Sequence, residues 1–184
     1  MTSSYPIDQY LVPGQLYVSR KPAVIKTVLG SCISVCLWDG SLKIGGINHY
    51  MYPYWDGDGL ATPQYGNVAM KSLLDAMLLA GSRQDRLIAK VFGGAMLLGG
   101  ENPALHVGKR NLEVCKTYLR RFNIRVAAED TGGTRGRSLL FFTGTGDVLL
   151  KRHKQKKADM DAVIPKINPA AHRLIPGEAG SLSG

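Results

Sequence analysis

Thr27-Val28-Leu29-Gly30-Ser31-Cys32-Ile33-Ser34-Val35-Cys36-Leu37-Trp38-Asp39-Gly40-Ser41-Leu42-Lys43-Ile44-Gly45-Gly46-Ile47-Asn48-His49 reads as a strand, a tight glycine turn and a β-hairpin. Ile33 to Trp38 and Leu42 to Asn48 are its apolar arms, and Asp39-Gly40-Ser41 supplies the turn chemistry between them. With Gly40-Ser41 as a two-residue loop, antiparallel stepping away from the turn sets Cys32 across the ladder from His49. With Asp39-Gly40 as the loop, Cys32 falls opposite Ile47 instead, and a bulge at Gly45-Gly46 shifts the register again. The first register brings a thiol to an imidazole, the local requirement for a useful sulfur nucleophile at neutral pH. Thr27 ends the preceding strand, where its hydroxyl or carbonyl can set the imidazole tautomer. Gly30-Ser31 leaves little side-chain bulk above the sulfur, and the N–H groups entering the strand there are candidate oxyanion donors. Each residue also has a plain reading: a core cysteine, a satisfied strand-end histidine, an ordinary strand threonine.

Outward from the hairpin, Gln15 to Ser19 and Ala23 to Val28 read as short strands around Lys21-Pro22. Met51 to Tyr65, rich in Pro, Gly, Asp and Tyr, is a long surface loop after His49, of the kind that lines sites. Val68, Leu73, Leu74, Met77 and Leu78 form a helical stripe over Asn67 to Ala80, stopped by Gly81. Leu87 to Phe92 is a strand, and Asn111 to Phe122 is a helix with Leu112, Cys115, Leu119 and Phe122 on one face. Ile124 to Ala128, Ser138 to Phe142 and Asp147 to Lys151 complete the strands, separated by the glycine-rich pieces Thr131 to Gly136 and Gly144 to Gly146. The glycine pairs Gly93-Gly94, Gly99-Gly100 and Gly132-Gly133 lack the spacing of a phosphate loop and read as tight turns or close backbone approaches. The pattern predicts a mixed α+β domain over residues 1–157, then a tail of linker composition over 158–184.

A chain of 184 residues with 45% apolar and 20% charged residues has the composition of a globular protein. The start, Met1-Thr2-Ser3-Ser4-Tyr5-Pro6, lacks signal-peptide character, and no apolar run is long enough to span a bilayer. The expectation is a cytoplasmic protein with Cys32, Cys36 and Cys115 as reduced thiols and no membrane insertion. Cys36 and Cys115 read as core. His106, His153 and His172 show no ligand spacing, so no metal is expected. The net charge of +9 gathers in Lys109 to Arg125 and Lys151 to Lys157. The second run carries no interleaved aromatics and no DNA-binding motif is visible, so nucleic acid is disfavoured, and an acidic protein partner explains the same charge equally well.

Thr27 to Asp39 together with Gly46-Ile47-Asn48-His49-Tyr50-Met51-Tyr52-Pro53 closely resembles the chemoreceptor glutamine deamidase family, CheD. Three further blocks agree in order: Lys90-Val91-Phe92-Gly93-Gly94-Ala95, Gly108-Lys109-Arg110-Asn111 and Asp130-Thr131-Gly132-Gly133-Thr134-Arg135-Gly136-Arg137. The resemblance spans about residues 10–155. It implies a mixed β-sandwich flanked by helices, similar to deamidating-toxin cysteine hydrolases. It also implies a protein-glutamine glutaminase, an amidohydrolase that turns glutamine side chains of methyl-accepting chemotaxis receptors into glutamate through a Cys-His thioester, without a cofactor. On that resemblance Cys32 and His49 are catalytic. The third triad position falls on Lys26 by strict spacing, or on Thr27 with a one-residue deletion, and only threonine can accept the imidazole proton. Ser31 and Gly30 line the oxyanion site, and Phe92, Arg135 and Arg137 contact substrate or partner. A CheC-type phosphatase is the implied second partner, and a non-catalytic binding module for it is the alternative reading.

Overall fold

The computed structural model describes residues 5–96 and 106–154. Gly99-Gly100, His172, the last three residues of the second basic run and the expected tail lie outside the described residues. The strands are β1 (Gln9–Tyr10), β2 (Gln15–Ser19), β3 (Val24–Leu29), β4 (Ile33–Asp39), β5 (Ile44–His49), β6 (Leu87–Gly93), β7 (Arg125–Thr131), β8 (Arg137–Phe142) and β9 (Val148–Arg152). The helices are α1 (Gly66–Leu79) and α2 (Val107–Arg121).

Two sheets form, in the orders β1-β3-β8-β9 and β2-β5-β4-β6-β7. The pairs β1–β3 and β6–β7 are parallel and the others antiparallel, so both sheets are mixed. The alternation of side chains along a strand explains the layering. On β4, Val35 and Leu37 join a core with Leu73, Met77, Cys115 and Leu119 of the helices. The intervening Cys36 joins Ile25, Leu29, Ile47, Leu139 and Phe141 between the sheets. β4 is therefore apolar on both faces, as its continuous hydrophobic run requires. The result is the expected mixed α+β sandwich, with both helices on the outer face of the five-stranded sheet.

The hairpin differs from its expected turn. The last pair is Asp39 with Ile44, which leaves Gly40 to Lys43 as a four-residue loop. Asp39 Oδ1 accepts the N–H groups of Ser41 and Leu42, and Lys43 takes a left-handed φ of 55°. Both two-residue loops are thus corrected: the buried aspartate stabilises a longer turn. No bulge forms at Gly45-Gly46 either. These glycines pair regularly with Trp38 and Leu37 and serve two opposite close approaches. A Cβ on Gly45 would lie 2.6 Å from the Thr143 Cα, in the turn just after β8 of the other sheet, while one on Gly46 would meet the Met77 sulfur at 2.7 Å on α1.

α1 ends where Gly81 adopts φ 100°, as expected from its sequence. α2 begins at Val107, four residues before the predicted start, because its first turn is set by tertiary packing rather than by an apolar stripe. A Cβ on Gly108 would lie 2.7 Å from the Gly94 carbonyl oxygen, so the helix can approach that backbone only through a glycine. The two-residue β1 has no sequence signal of its own; it exists by bridging Gln9 and Tyr10 to Ile25 and Lys26.

The two glycine approaches predict unequal costs. Gly45→Ala presses a methyl on backbone and is expected to lower unfolding free energy by about 3 kcal/mol, whereas Gly46→Ala meets flexible side chains and costs about 1 kcal/mol. Urea denaturation of the two variants measures the difference, and equal costs would contradict the inter-sheet contact.

Candidate active site

β3 lays Ile25, Thr27 and Leu29 on its inner face, with Lys26 turned to the other side. Thr27 is completely buried, and His49, at the end of β5, is 2% exposed. Thr27 Oγ1 and His49 Nδ1 lie 2.9 Å apart, a hydrogen bond that crosses from one sheet to the other. The Thr27 hydroxyl donates its single proton to the Leu11 carbonyl at 2.8 Å. Its oxygen can therefore only accept from the imidazole, so Nδ1 carries the proton and Nε2 presents a lone pair. His49 Nε2 is buried without a hydrogen-bond partner among the described residues. Burial lowers the pKa of His49 to about 4, opposed in part by the Leu11 backbone. At neutral pH the ring is an uncharged base.

Cys32 does not face His49 across the ladder. The pairs Cys36–Ile47 and Ile33–Tyr50 share one register, which sets Ser34 opposite His49. Cys32 lies two residues further along on the same face, a diagonal neighbour of the histidine. The displacement from the expected register is two residues, an even number, so both side chains keep the inter-sheet face. Half-buried Cys32 packs there with Leu11, Leu29, Ile47 and Phe92. Burial pushes the Cys32 thiol up, and its own backbone N–H opposes that shift. Thiol and imidazole are thus both neutral at rest. Cys36 and Cys115 are buried, with the Cys115 thiol pushed up to about 12 by burial, and both fill the core as expected.

The ladder between β4 and β5 parts beside this pair. Val35 N–H donates to Asn48 Oδ1 at 2.9 Å instead of to a backbone carbonyl, and the Ser34 hydroxyl donates to the Asn48 carbonyl. Asn48 Nδ2 donates on to Ala69 O of α1 at 3.2 Å.

The turn carrying Cys32 is held through its carbonyls. Gly94 N–H donates to Cys32 O at 2.8 Å and Ala95 N–H to Gly30 O at 2.9 Å. Gly93 permits this approach with φ 113°, and a Cβ there would lie 2.0 Å from Cys32 O. Asn111, wholly buried on α2, donates from Nδ2 to Ser31 O at 3.1 Å and Met51 O at 2.8 Å. Among the described residues no backbone acceptor takes the N–H of Ser31 or Cys32.

Two expected contact residues are buried. Phe92 is 5% exposed and pairs with Ser34, so it walls the inter-sheet space beside Cys32 instead of facing a partner. Arg137 is 2% exposed, with its guanidinium donating to the Asp130 carboxylate and to the carbonyls of Asp130, Gly132 and Arg135. Arg152 Nη2 meets the same carboxylate at 2.6 Å. This cluster braces the loop whose Gly133 carbonyl accepts Met96 N–H and whose Gly132 N–H donates to Gly93 O. Arg135 is the exposed arginine of the loop, beside a cavity of about 230 Å³ shared with Thr134 and Arg152. Leu11 and Asn48 carry no sequence signal for their part in the site. Asn111 closes the Gly108 to Asn111 block, but its spacing from Cys32 says nothing of contact.

Among the described residues no cluster of His, Cys, Asp or Glu could hold a metal ion, and no helix is long and apolar enough to cross a membrane.

The depressed His49 pKa carries a stability consequence. The unfolded chain binds a proton near the ordinary histidine value of about 6.5, and the folded protein only near 4. Folding is therefore opposed increasingly as pH falls between these values, by at most about 3 kcal/mol. Imidazole NMR titration should place His49 near 4. His49→Gln should flatten the fall in melting temperature across that window, and a His49 value above 6 would contradict the buried neutral ring.

The chain is matched over residues 54–152 by the model of the CheD family, described as CheD chemotactic sensory transduction. It is 49% identical over 152 residues to a probable chemoreceptor glutamine deamidase CheD of Trichlorobacter lovleyi, covering 82% of this chain and 94% of that one. A protein of the same description from Sulfurimonas denitrificans is 43% identical over 145 residues, covering 78% and 92% respectively. Among solved structures, the Bacillus licheniformis hypothetical protein YfiH is similar over 65% of this chain and 51% of its own, with 13% identity and a TM-score of 0.46. By the extent and identity of the sequence matches, the chain belongs to the CheD family.

Proposed function

We propose that this protein deamidates glutamine side chains of chemotaxis receptors, with Cys32 as nucleophile, His49 as base and Thr27 as the group that orients the imidazole. The observation that carries this reading is the hydrogen-bond chain from His49 Nδ1–H through Thr27 Oγ1 to the Leu11 carbonyl. It leaves Nε2 as a bare base on the face that Cys32 shares. The names of the similar proteins supply the substrate class.

In this mechanism Cys32 Sγ attacks the glutamine carboxamide carbon while its proton passes to His49 Nε2. The carbonyl π electrons move to oxygen, which the N–H groups of Ser31 and Cys32 receive. His49 returns the proton to the departing nitrogen, since an amide ion is a very poor leaving group, and ammonia leaves as the carbon–sulfur thioester forms. Water then gives a proton to His49 and its oxygen to the acyl carbon. The carbon–sulfur bond breaks, the thiol is restored and the receptor keeps a glutamate. The raised thiol pKa fits an enzyme that ionises sulfur only as it attacks. No cofactor enters. The reaction suits a cytoplasmic protein acting on the cytoplasmic part of a receptor, and Arg135 is the loop arginine available to an acidic receptor surface.

Mass spectrometry of receptor fragments incubated with wild-type protein should show a gain of glutamate at particular glutamines, abolished by Cys32→Ala and His49→Ala. Persistent conversion by Cys32→Ala would overturn the assignment. If Cys32→Ala restores chemotaxis as well as wild type, the protein instead acts as a binding module for a CheC-type phosphatase. For the active enzyme, kcat/KM should fall on acidification through a value near 4, not near 6.5. Thr27→Val, which removes the acceptor for Nδ1–H, should lower kcat roughly tenfold to a hundredfold.

A further inference from the structure

The side chain of Asn111 is buried on α2 and touches none of the catalytic side chains, yet its partners flank them. Its two N–H donors go to Ser31 O, immediately before Cys32, and to Met51 O, two residues after His49. Its backbone carbonyl accepts the Tyr50 hydroxyl at 2.7 Å, so three hydrogen bonds reach residues 31, 50 and 51 from one helical position. Asn111 Oδ1 is buried without a partner among the described residues. The amide is therefore engaged through its donors alone, and both go to carbonyls of the segments that carry the nucleophile and the base.

The geometry points to Asn111 as a positioning residue that aims the oxyanion donor of this site, an inference that rests on the proposed amide chemistry. The Ser31 carbonyl and the Cys32 N–H belong to one planar trans peptide unit, in which C=O and N–H point in opposite directions. By drawing Ser31 O toward α2, Asn111 turns the Cys32 N–H away from the helix. That N–H favours the Cys32 thiolate, against the larger effect of burial. This is the side on which the oxygen of an attacked carboxamide must sit. The second bond, to Met51 O, ties the same amide to the segment after His49. Gly108, one turn earlier, lets α2 come this close, while Gly94 and Ala95 hold the neighbouring carbonyls of Cys32 and Gly30. With the carbonyls on either side of the Cys32 N–H engaged, its direction is set before substrate arrives, which is the condition for oxyanion stabilisation without reorganisation.

The test uses the full chain and compares wild type with Asn111→Ser, which cannot reach both carbonyls, and Asn111→Asp, which keeps the shape but lacks both donors at neutral pH. Val114→Ala, a core truncation on the same helix, controls for loss of stability. Three quantities are read: kcat and KM for deamidation of a receptor fragment, the rate of Cys32 alkylation by iodoacetamide, and the affinity for a peptide whose glutamine carboxamide is replaced by an aldehyde. Alkylation generates no oxyanion. Aldehyde capture does involve one: sulfur adds to the carbonyl carbon, the π bond opens, and the thiol proton reaches the oxygen to give a hemithioacetal. Both Asn111 variants should lower kcat at least tenfold with KM within about twofold, weaken aldehyde capture at least tenfold, and leave alkylation within about threefold of wild type. Val114→Ala should lower the melting temperature and change none of the three. Equal kcat and aldehyde affinity in wild type and Asn111→Asp would overturn the inference alone. So would parallel loss of all three quantities in step with melting temperature across the Asn111 variants and Val114→Ala. If wild type captures the aldehyde in an Asn111-dependent way but deamidates no receptor fragment, the substrate reading fails and the positioning role stands. If wild type neither captures nor deamidates, both fail.

Discussion

One hydrogen bond, from His49 Nδ1 to Thr27 Oγ1, joins the two sheets of this protein at the candidate active site. The Leu11 carbonyl satisfies the threonine proton, and the threonine oxygen accepts from the ring. The threonine hydroxyl is wholly buried, and the ring is nearly so. A buried imidazole N–H left without an acceptor would cost roughly 1–3 kcal/mol. The Leu11 carbonyl takes the threonine proton and thereby sets the direction of the whole chain. The bond also requires that the sheets come close. They do so at Gly45, four residues before His49 on β5, where a Cβ would press on the Thr143 backbone. Sandwich spacing, imidazole tautomer and basic Nε2 thus depend on one another.

The remaining parts of the site support a turn rather than a strand. Cys32 stands between β3 and β4, where the chain passes from one sheet to the other, and a crossing segment has no ladder to hold it. The carbonyls of this turn are instead taken by Gly94, Ala95 and Asn111. Gly94 is held in turn by packing on Gly108, and the segment from Gly93 to Met96 is bonded to Gly132 and Gly133. Arg137 and Asp130 brace that last loop from beneath. Gly93, Gly94 and Gly108 form one assembly of bare backbone around the Cys32 turn, glycine being required where main chains approach this closely. Arg137 belongs to this support and Phe92 to the core between the sheets, which is where each is buried.

The arms of the central hairpin, the face on which Cys32 and His49 lie and the apolar stripes of both helices are legible from local pattern. The direct Cys32–His49 pairing depends on a two-residue turn that the protein does not form. Asp39 closes a four-residue loop by accepting two backbone N–H groups, and that choice moves the partner of His49 from Cys32 to Ser34. Thiol and imidazole remain neighbours because a slip of two residues returns every side chain to its original face. Lys26 and Thr27 illustrate the reverse case. Spacing alone leaves both open as the third member, and the pleat of β3 separates them, since only Thr27 turns inward.

Short-range physics makes several features readable from the residues alone: strand and helix periods, glycine stops, a cysteine at a turn and a histidine at a strand end sharing one face. Family membership was also readable there, because ordered motifs survive without knowledge of their contacts. Which hydroxyl meets the imidazole, which ring nitrogen lacks a partner and which carbonyls Asn111 holds are settled by long-range packing. Those outcomes rest on contacts between residues 16 to 80 positions apart in the chain, Leu11 with Thr27 and Asn111 with Ser31 among them. The direction of a hydrogen bond in a dry interior is set by which partner groups packing brings within about 3 Å, and no local pattern carries that information.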